Sequence, residues 1–211
     1  YKSSEEVAQI EKDLKRVKPL LQQGKPPPAN VMLFGVKDFL PTVNDMRWVK
    51  VTNPDGVKSI AAGMNNSVGS YATSETYGAL GRGRRALDKG EIEVYALYDK
   101  NHTPHVTVEY GTGKSSVPEK QRSQILQLTG NGPLTVNEAS NNYAEQIAAL
   151  VNALPIKDVT ALPASTQKIL KNNFFEFKDN RVVRNEEEFT KNQEVRKELG
   201  LAKGGSVDKN T

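Results

Sequence analysis

The chain has 211 residues, 36% of them apolar, and a mean hydropathy of −0.59. Its net charge of +4 comes from 29 Lys and Arg against 25 Asp and Glu, interleaved along most of the chain, with a pI near 9.1. That length holds one domain with a real core, or a compact domain with helical flanks. The absence of cysteine excludes disulfides, thiolate catalysis and cysteine-based zinc sites, and two histidines supply an all-protein catalytic zinc poorly, so neither metal nor cofactor is expected.

Apolar runs such as Ile147 to Val151 are far too short to span a bilayer, so no membrane span is expected. The first residue is Tyr1, which reads as a piece of a longer polypeptide. Residues 3 to 21 read as a helix: Ser3 and Glu6 have capping-box spacing, and Val7, Ile10, Leu14, Val17 and Leu21 form an apolar stripe. Gly24 to Asn30, with three prolines, breaks it and serves as an extended linker. Val31 to Val36 is an apolar run of undetermined type. Arg47 to Val51 alternates as a strand, with Trp48 as a core anchor, and Asn53-Pro54-Asp55-Gly56 reads as a turn closing it.

Ser59 to Gly69 is rich in small residues, and Arg82 to Lys89 reads as a short basic helix. Ile92 to Tyr98 carries apolar residues on both faces, as a strand covered on both sides does. A turn over residues 99 to 104 returns it as His105 to Tyr110, its antiparallel partner, and Ser123 to Leu128 reads as a third strand. Thr135 and Glu138 have capping-box spacing, and Ala139, Tyr143, Ile147, Leu150 and Leu154 then share one face of a helix, ended by Pro155, that should lie across the hairpin. Ser165 to Asn172 is a short helix, Phe174 to Arg184 a second hairpin turning at Asp179-Asn180, and Glu186 to Leu199 a charged helix.

The fold expected is α+β: a small antiparallel sheet around a central β-hairpin, packed by an amphipathic helix, with helical extensions at both ends. Its organisation reads as a helix over 1–24, a proline-rich linker over 25–30, the α+β domain over 31–155, a helix–hairpin–helix extension over 156–200 and a disordered tail over 201–211.

The middle of the chain carries an ordered set of short motifs: Met64, Ser67-Val68-Gly69 and Tyr71, then Tyr77-Gly78, then Val94-Tyr95, Leu97 and Asp99, then Pro104 to Glu109, then Gln127 and Gly130. In that order, over roughly residues 45 to 135, the chain resembles the PcfJ-like domains of large polyvalent proteins from bacteriophages and conjugative elements. It departs from them in two places. Many relatives read His-Cys-Val-Gly where this chain has Asn66-Ser67-Val68-Gly69, and Tyr98 stands where relatives carry a basic residue. The resemblance implies a module embedded in a very large chain that is packaged in a virion or delivered with mobile DNA. It brings no catalytic role with it.

Three functional readings follow. The leading one is a structural or interaction module of a phage-type virion or DNA-ejection protein, bound to other segments of the same polypeptide or to virion proteins, in the virion or the host cytoplasm. The second is nucleic-acid binding through Arg82, Arg84, Arg85 and Lys89, a local basic cluster without the Gly-Lys-Ser/Thr ending of a phosphate loop. The third is a hydrolase-like or transferase-like enzyme in which Ser67 is the nucleophile, His105 the base and Asn131 the orienting group, with Asp99 and Gln127 as alternative orienters. Against it, Ser67 and Tyr71 can satisfy backbone groups at a tight turn while His105 pairs across the hairpin. Asp99 and Glu109, on opposite arms, are candidates for paired carboxylates or for structural roles, and His102 reads as an exposed turn residue.

Overall fold

The computed structural model describes residues 4, 5, 7, 8, 11, 12, 15, 35–64, 67–130 and 141–201. Its centre is a five-stranded antiparallel meander in the order β1 (Val36–Pro41), β2 (Arg47–Val51), β3 (Ile92–Tyr98), β4 (Pro104–Gly111) and β5 (Gln124–Gly130). Each strand pairs with its neighbour in strand order, and the helices and 3-10 turn between Val51 and Ile92 are inserted between β2 and β3. The fold is α+β, as the alternating strands and the capped helices require.

Alternation along the strands explains why the sheet is covered on both faces. Ile92, Val94 and Ala96 of β3 point one way, with Val49 and Val51 of β2. Tyr95 and Leu97 point the other way, with Trp48, Val106, Val108 and Tyr110. The first face is covered by α1 (Pro54–Met64), a 3-10 turn over Ser67–Ala72 and α2 (Gly83–Asp88), which contribute Val57, Ile60, Met64, Tyr71 and Ala86. The second is covered by α3 (Ala144–Ala153) and α4 (Ala164–Asn172), through Ile147, Leu150, Val151, Ile169 and Leu170.

The helix expected to lie across the hairpin therefore does so. Its described α-helical part runs from Ala144, after a 3-10 turn over Asn141–Tyr143. Trp48 is fully buried beneath it, and its indole N–H donates to the Gln146 carbonyl over 2.8 Å. The large ring is thus tied to the covering helix by the single donor it would otherwise bury unpaired.

Asn53-Pro54-Asp55-Gly56 is not a turn but the start of α1. Pro54 takes the first helical position, where its missing N–H costs nothing, and Asn53 Oδ1 accepts the Asp55 N–H over 3.0 Å as an N-cap. The same chemistry that signals turns signals helix starts, and the apolar positions Val57, Ile60 and Met64 decide between them. The small residues after Ser59 accordingly continue α1 and then the 3-10 turn.

After α4, β6 (Phe175–Lys178) and β7 (Arg181–Arg184) form the second hairpin, and α5 (Glu186–Glu198) follows. Asp179 and Asn180 both have positive φ, 50° and 55°, as a two-residue mirror-image turn demands. The Arg184 guanidinium lies between the rings of Phe175 and Phe189, 4.6 Å and 4.2 Å from their centroids, and pairs with Glu145 at 2.7 Å. The extension thereby locks onto α3. Of the amino-terminal helix, the described residues are helical; the remainder of its stripe, the proline-rich linker, Thr135 and Glu138, and the tail from residue 202 lie outside the described residues.

Candidate functional site

The polar residues of β4 and β5 break the apolar alternation at the same level of the sheet. Thr107 pairs with Thr129 and Glu109 with Gln127, all on the face covered by α1 and the 3-10 turn, and Val94 of β3 stands opposite Glu109. Ser67, Val68 and Tyr71 from the 3-10 turn close over them, with Tyr77 from the following loop. Together these nine residues line an open-mouthed cleft with room of about 30 Å³ for the centres of water-sized groups. Tyr71, Val94, Thr107 and Glu109 are buried and form its floor, whereas Ser67 and Gln127 are exposed at its rim.

Glu109 is held by the backbone of the loop before α2: the Ala79 N–H donates to its Oε1 over 3.0 Å. The Tyr71 hydroxyl faces the same carboxylate. Burial pushes the Glu109 pKa above its ordinary value, against the opposing pull of Tyr71 and the Ala79 amide, and pushes the Tyr71 phenol up as well, with the nearby carboxylate adding to the effect. Among the described residues no cation pairs with Glu109. Thr107 is 5% exposed, and its Oγ1 has no hydrogen-bond partner. The Tyr71 and Tyr77 rings meet edge-to-face, 4.8 Å apart at 88°, and the Tyr77 hydroxyl bonds Ser67 Oγ at 2.8 Å. Gly78 makes that corner tight: it has φ of 88°, and a Cβ there would come within 2.2 Å of the Tyr71 hydroxyl.

A second polar cluster forms at the other end of the hairpin. The β3–β4 ladder slips between Leu97 and Tyr98, so Tyr98 faces Pro104 and Leu97 faces Val106, leaving His105 outside the register. Both ring nitrogens of His105 are engaged: Nε2 lies 2.9 Å from Asp99 Oδ2, and Nδ1 3.0 Å from the Tyr143 hydroxyl. Asp99 Oδ1 also accepts the N–H groups of Asn101 (2.8 Å) and Thr103 (3.0 Å), which fixes the turn. Burial raises the Asp99 pKa, but the hydrogen bonds from His105, Thr103 and Asn101 together hold it below its ordinary value. His102 is not an exposed turn residue: it is 8% exposed, with φ of 60°, and its Nδ1 meets Nη2 of Arg47. Arg47 also donates to the Asp99 carbonyl at 3.2 Å and pairs with Asp38 at 2.9 Å, so it stitches the turn to β1 and β2.

Of the candidate catalytic set, Ser67 thus stands at the cleft with Tyr77, whereas His105 stands at the turn with Asp99 and Tyr143. Asn131 lies outside the described residues. Asp99 and Glu109 are not a carboxylate pair, because one caps the turn and the other sits in the cleft. Of the motif residues, Tyr71, Glu109 and Gln127 converge on the cleft, Gly69 lies in the 3-10 turn, Asp99 caps the hairpin, and Gly130 ends β5. Thr107 lies within the Pro104 to Glu109 motif and Thr129 between the motif residues Gln127 and Gly130, but neither is named as a site residue from the sequence. Their signal is a polar residue every second position on two neighbouring, otherwise apolar strands.

The basic cluster divides. Arg82 Nη1 lies 3.2 Å and 3.3 Å from the two carboxylate oxygens of Glu91, which is 3% exposed, and Arg82 Nη2 donates to the Ser116 carbonyl at 3.2 Å. It is partly buried and neutralises the buried Glu91. Arg84, Arg85 and Lys89 are exposed, and Arg84 reaches Asp88 at 3.6 Å. Among the described residues no group of three His, Cys, Asp or Glu could hold a metal ion, and no helix is long and apolar enough to cross a membrane.

Comparisons with protein-family models, with curated proteins and with solved structures find no match.

Proposed function

We propose that the chain is a non-catalytic interaction module of a large phage-type multidomain protein, and that it engages other segments of that polypeptide or companion virion proteins through the cleft face of its sheet. The observation that carries this reading is the convergence of Tyr71, Glu109 and Gln127, three of the residues that resemble PcfJ-like domains, on one cleft with Ser67 at its rim. The chemistry there suits recognition better than acyl transfer. Ser67 has a phenol as its partner rather than an imidazole, and the imidazole of His105 already has partners on both nitrogens. The serine at the position where many relatives have cysteine points the same way, because a hydroxyl without a base is a weak nucleophile.

Titration of the labelled chain with peptides tiling the parent polypeptide tests this reading. Saturable binding of at least one segment, weakened tenfold or more by Gln127→Ala, is the expected result. Turnover of an ester or amide substrate that depends on Ser67 would overturn it.

A second reading, nucleic-acid binding, draws on the exposure of Arg84, Arg85 and Lys89 on and just after α2. It requires affinity that falls as salt rises and that is lost in the Arg84→Glu/Arg85→Glu double variant.

A further inference from the structure

We infer that the cleft is a receptor for a primary alkylammonium group, and that its occupant is a lysine side chain of a protein segment; this deepens the interaction reading and rests on it. Four features of the cleft select that chemistry. The floor holds a buried carboxylate, Glu109, with no cation beside it among the described residues, so a bound positive charge would replace the water that burial has removed. Beside it the buried Thr107 hydroxyl points into the cleft with no partner, an acceptor that a donor arriving from outside would satisfy.

The cleft has room of about 30 Å³ for the centres of water-sized groups, which admits a compact ammonium more readily than a broad planar guanidinium. Around it, the edge-to-face pair of Tyr71 and Tyr77 forms an aromatic corner of the kind that attracts cations, while Val68 and Val94 offer apolar surface to an alkyl stem. An ammonium has three N–H donors and no acceptor. The cleft offers it the Glu109 carboxylate, the Thr107 hydroxyl and, at the rim, the Gln127 carboxamide and the Ser67 hydroxyl. The exposed rim leaves room for the backbone that carries the side chain.

The test is an NMR titration of the full chain at pH 8 with Nα-acetyl-lysine methylamide, reading the backbone amides of Val94, Thr107, Glu109, Gln127 and Thr129. The matched probe Nα-acetyl-norleucine methylamide has the stem without the charge, and Nα-acetyl-arginine methylamide has the charge on a planar group. Saturable shifts with the lysine probe alone are expected, with a dissociation constant on the order of millimolar for a single charged contact. Glu109→Gln should weaken binding about tenfold or more, and Thr107→Val several-fold, each in a chain whose spectrum stays folded. Equal shifts with norleucine or arginine, unchanged affinity in Glu109→Gln, or no saturation by about 50 mM lysine probe would overturn the inference. Should a tiled segment bind while the lysine probe does not, the interaction reading stands and this inference falls. Should the lysine probe bind and no segment do so, the receptor chemistry holds and the interaction reading falls.

Discussion

The Ala79 N–H and the Glu109 carboxylate, 30 residues apart in sequence, meet at 3.0 Å and tie the loop before α2 to the middle of β4. The carboxylate that makes this bond is buried, and burial holds its pKa above the ordinary 4.5. A carboxyl whose folded pKa is raised adds stability below its unfolded pKa, and that contribution is lost as pH rises through the folded value. Replacing Glu109 with Gln should therefore flatten the stability profile above about pH 4.5, with the wild type falling relative to the variant as pH climbs. Urea midpoints across pH 4 to 8 measure it, and parallel profiles would refute it.

Asp99 carries the opposite sign. The net pull of His105, Thr103 and Asn101 places its pKa below the ordinary 3.8. Its contribution is present above the unfolded pKa and is lost as pH falls through the folded one. Asp99→Asn should lose stability at neutral pH and show a shallower acid limb than the wild type. Thermal melts between pH 2 and pH 7 check the crossing of the two curves.

The sheet and its coverings follow from local patterns: period-two alternation over 92–98 and 105–110, the Asp179-Asn180 turn, and the spacing of Ile147, Leu150 and Leu154. Asn53-Pro54-Asp55-Gly56 was misleading because turns and helix starts share the same capping chemistry, and only the apolar spacing that follows separates them. The cleft was legible only in part. Tyr71, Glu109 and Gln127 stood out through their motif, but Thr107 and Thr129 gained meaning from strand register, which a sequence does not print. The ladder slip at Leu97/Tyr98 likewise moved His105 out of register and toward Tyr143, a partner on a different element.

Ile147 is 1% exposed and lies in the core cluster with Leu150 and Trp48. A carboxylate there has no described partner, so Ile147→Asp should cost at least about 4 kcal/mol and unfold the domain rather than weaken one site. Trp48→Phe is milder: it loses the bond to Gln146 and some volume, about 1–3 kcal/mol in all. Circular dichroism with urea titration separates the two, and a cooperatively folded Ile147→Asp chain would refute the packing described for α3.

The four basic residues should separate by mutation. Arg82→Ala leaves Glu91 buried without its cation and should cost about 3 kcal/mol. Arg85→Ala, at an exposed position, should change stability by less than about 0.5 kcal/mol. Equal effects would contradict the pairing of Arg82 with the buried Glu91.

The claim that the chain acts by binding rather than by acyl transfer is tested most directly at Ser67. Intact-mass analysis after exposure to a fluorophosphonate probe, under conditions that label a serine-hydrolase control completely, should show the chain unmodified. One adduct per chain at Ser67, lost in His105→Ala, would contradict that claim.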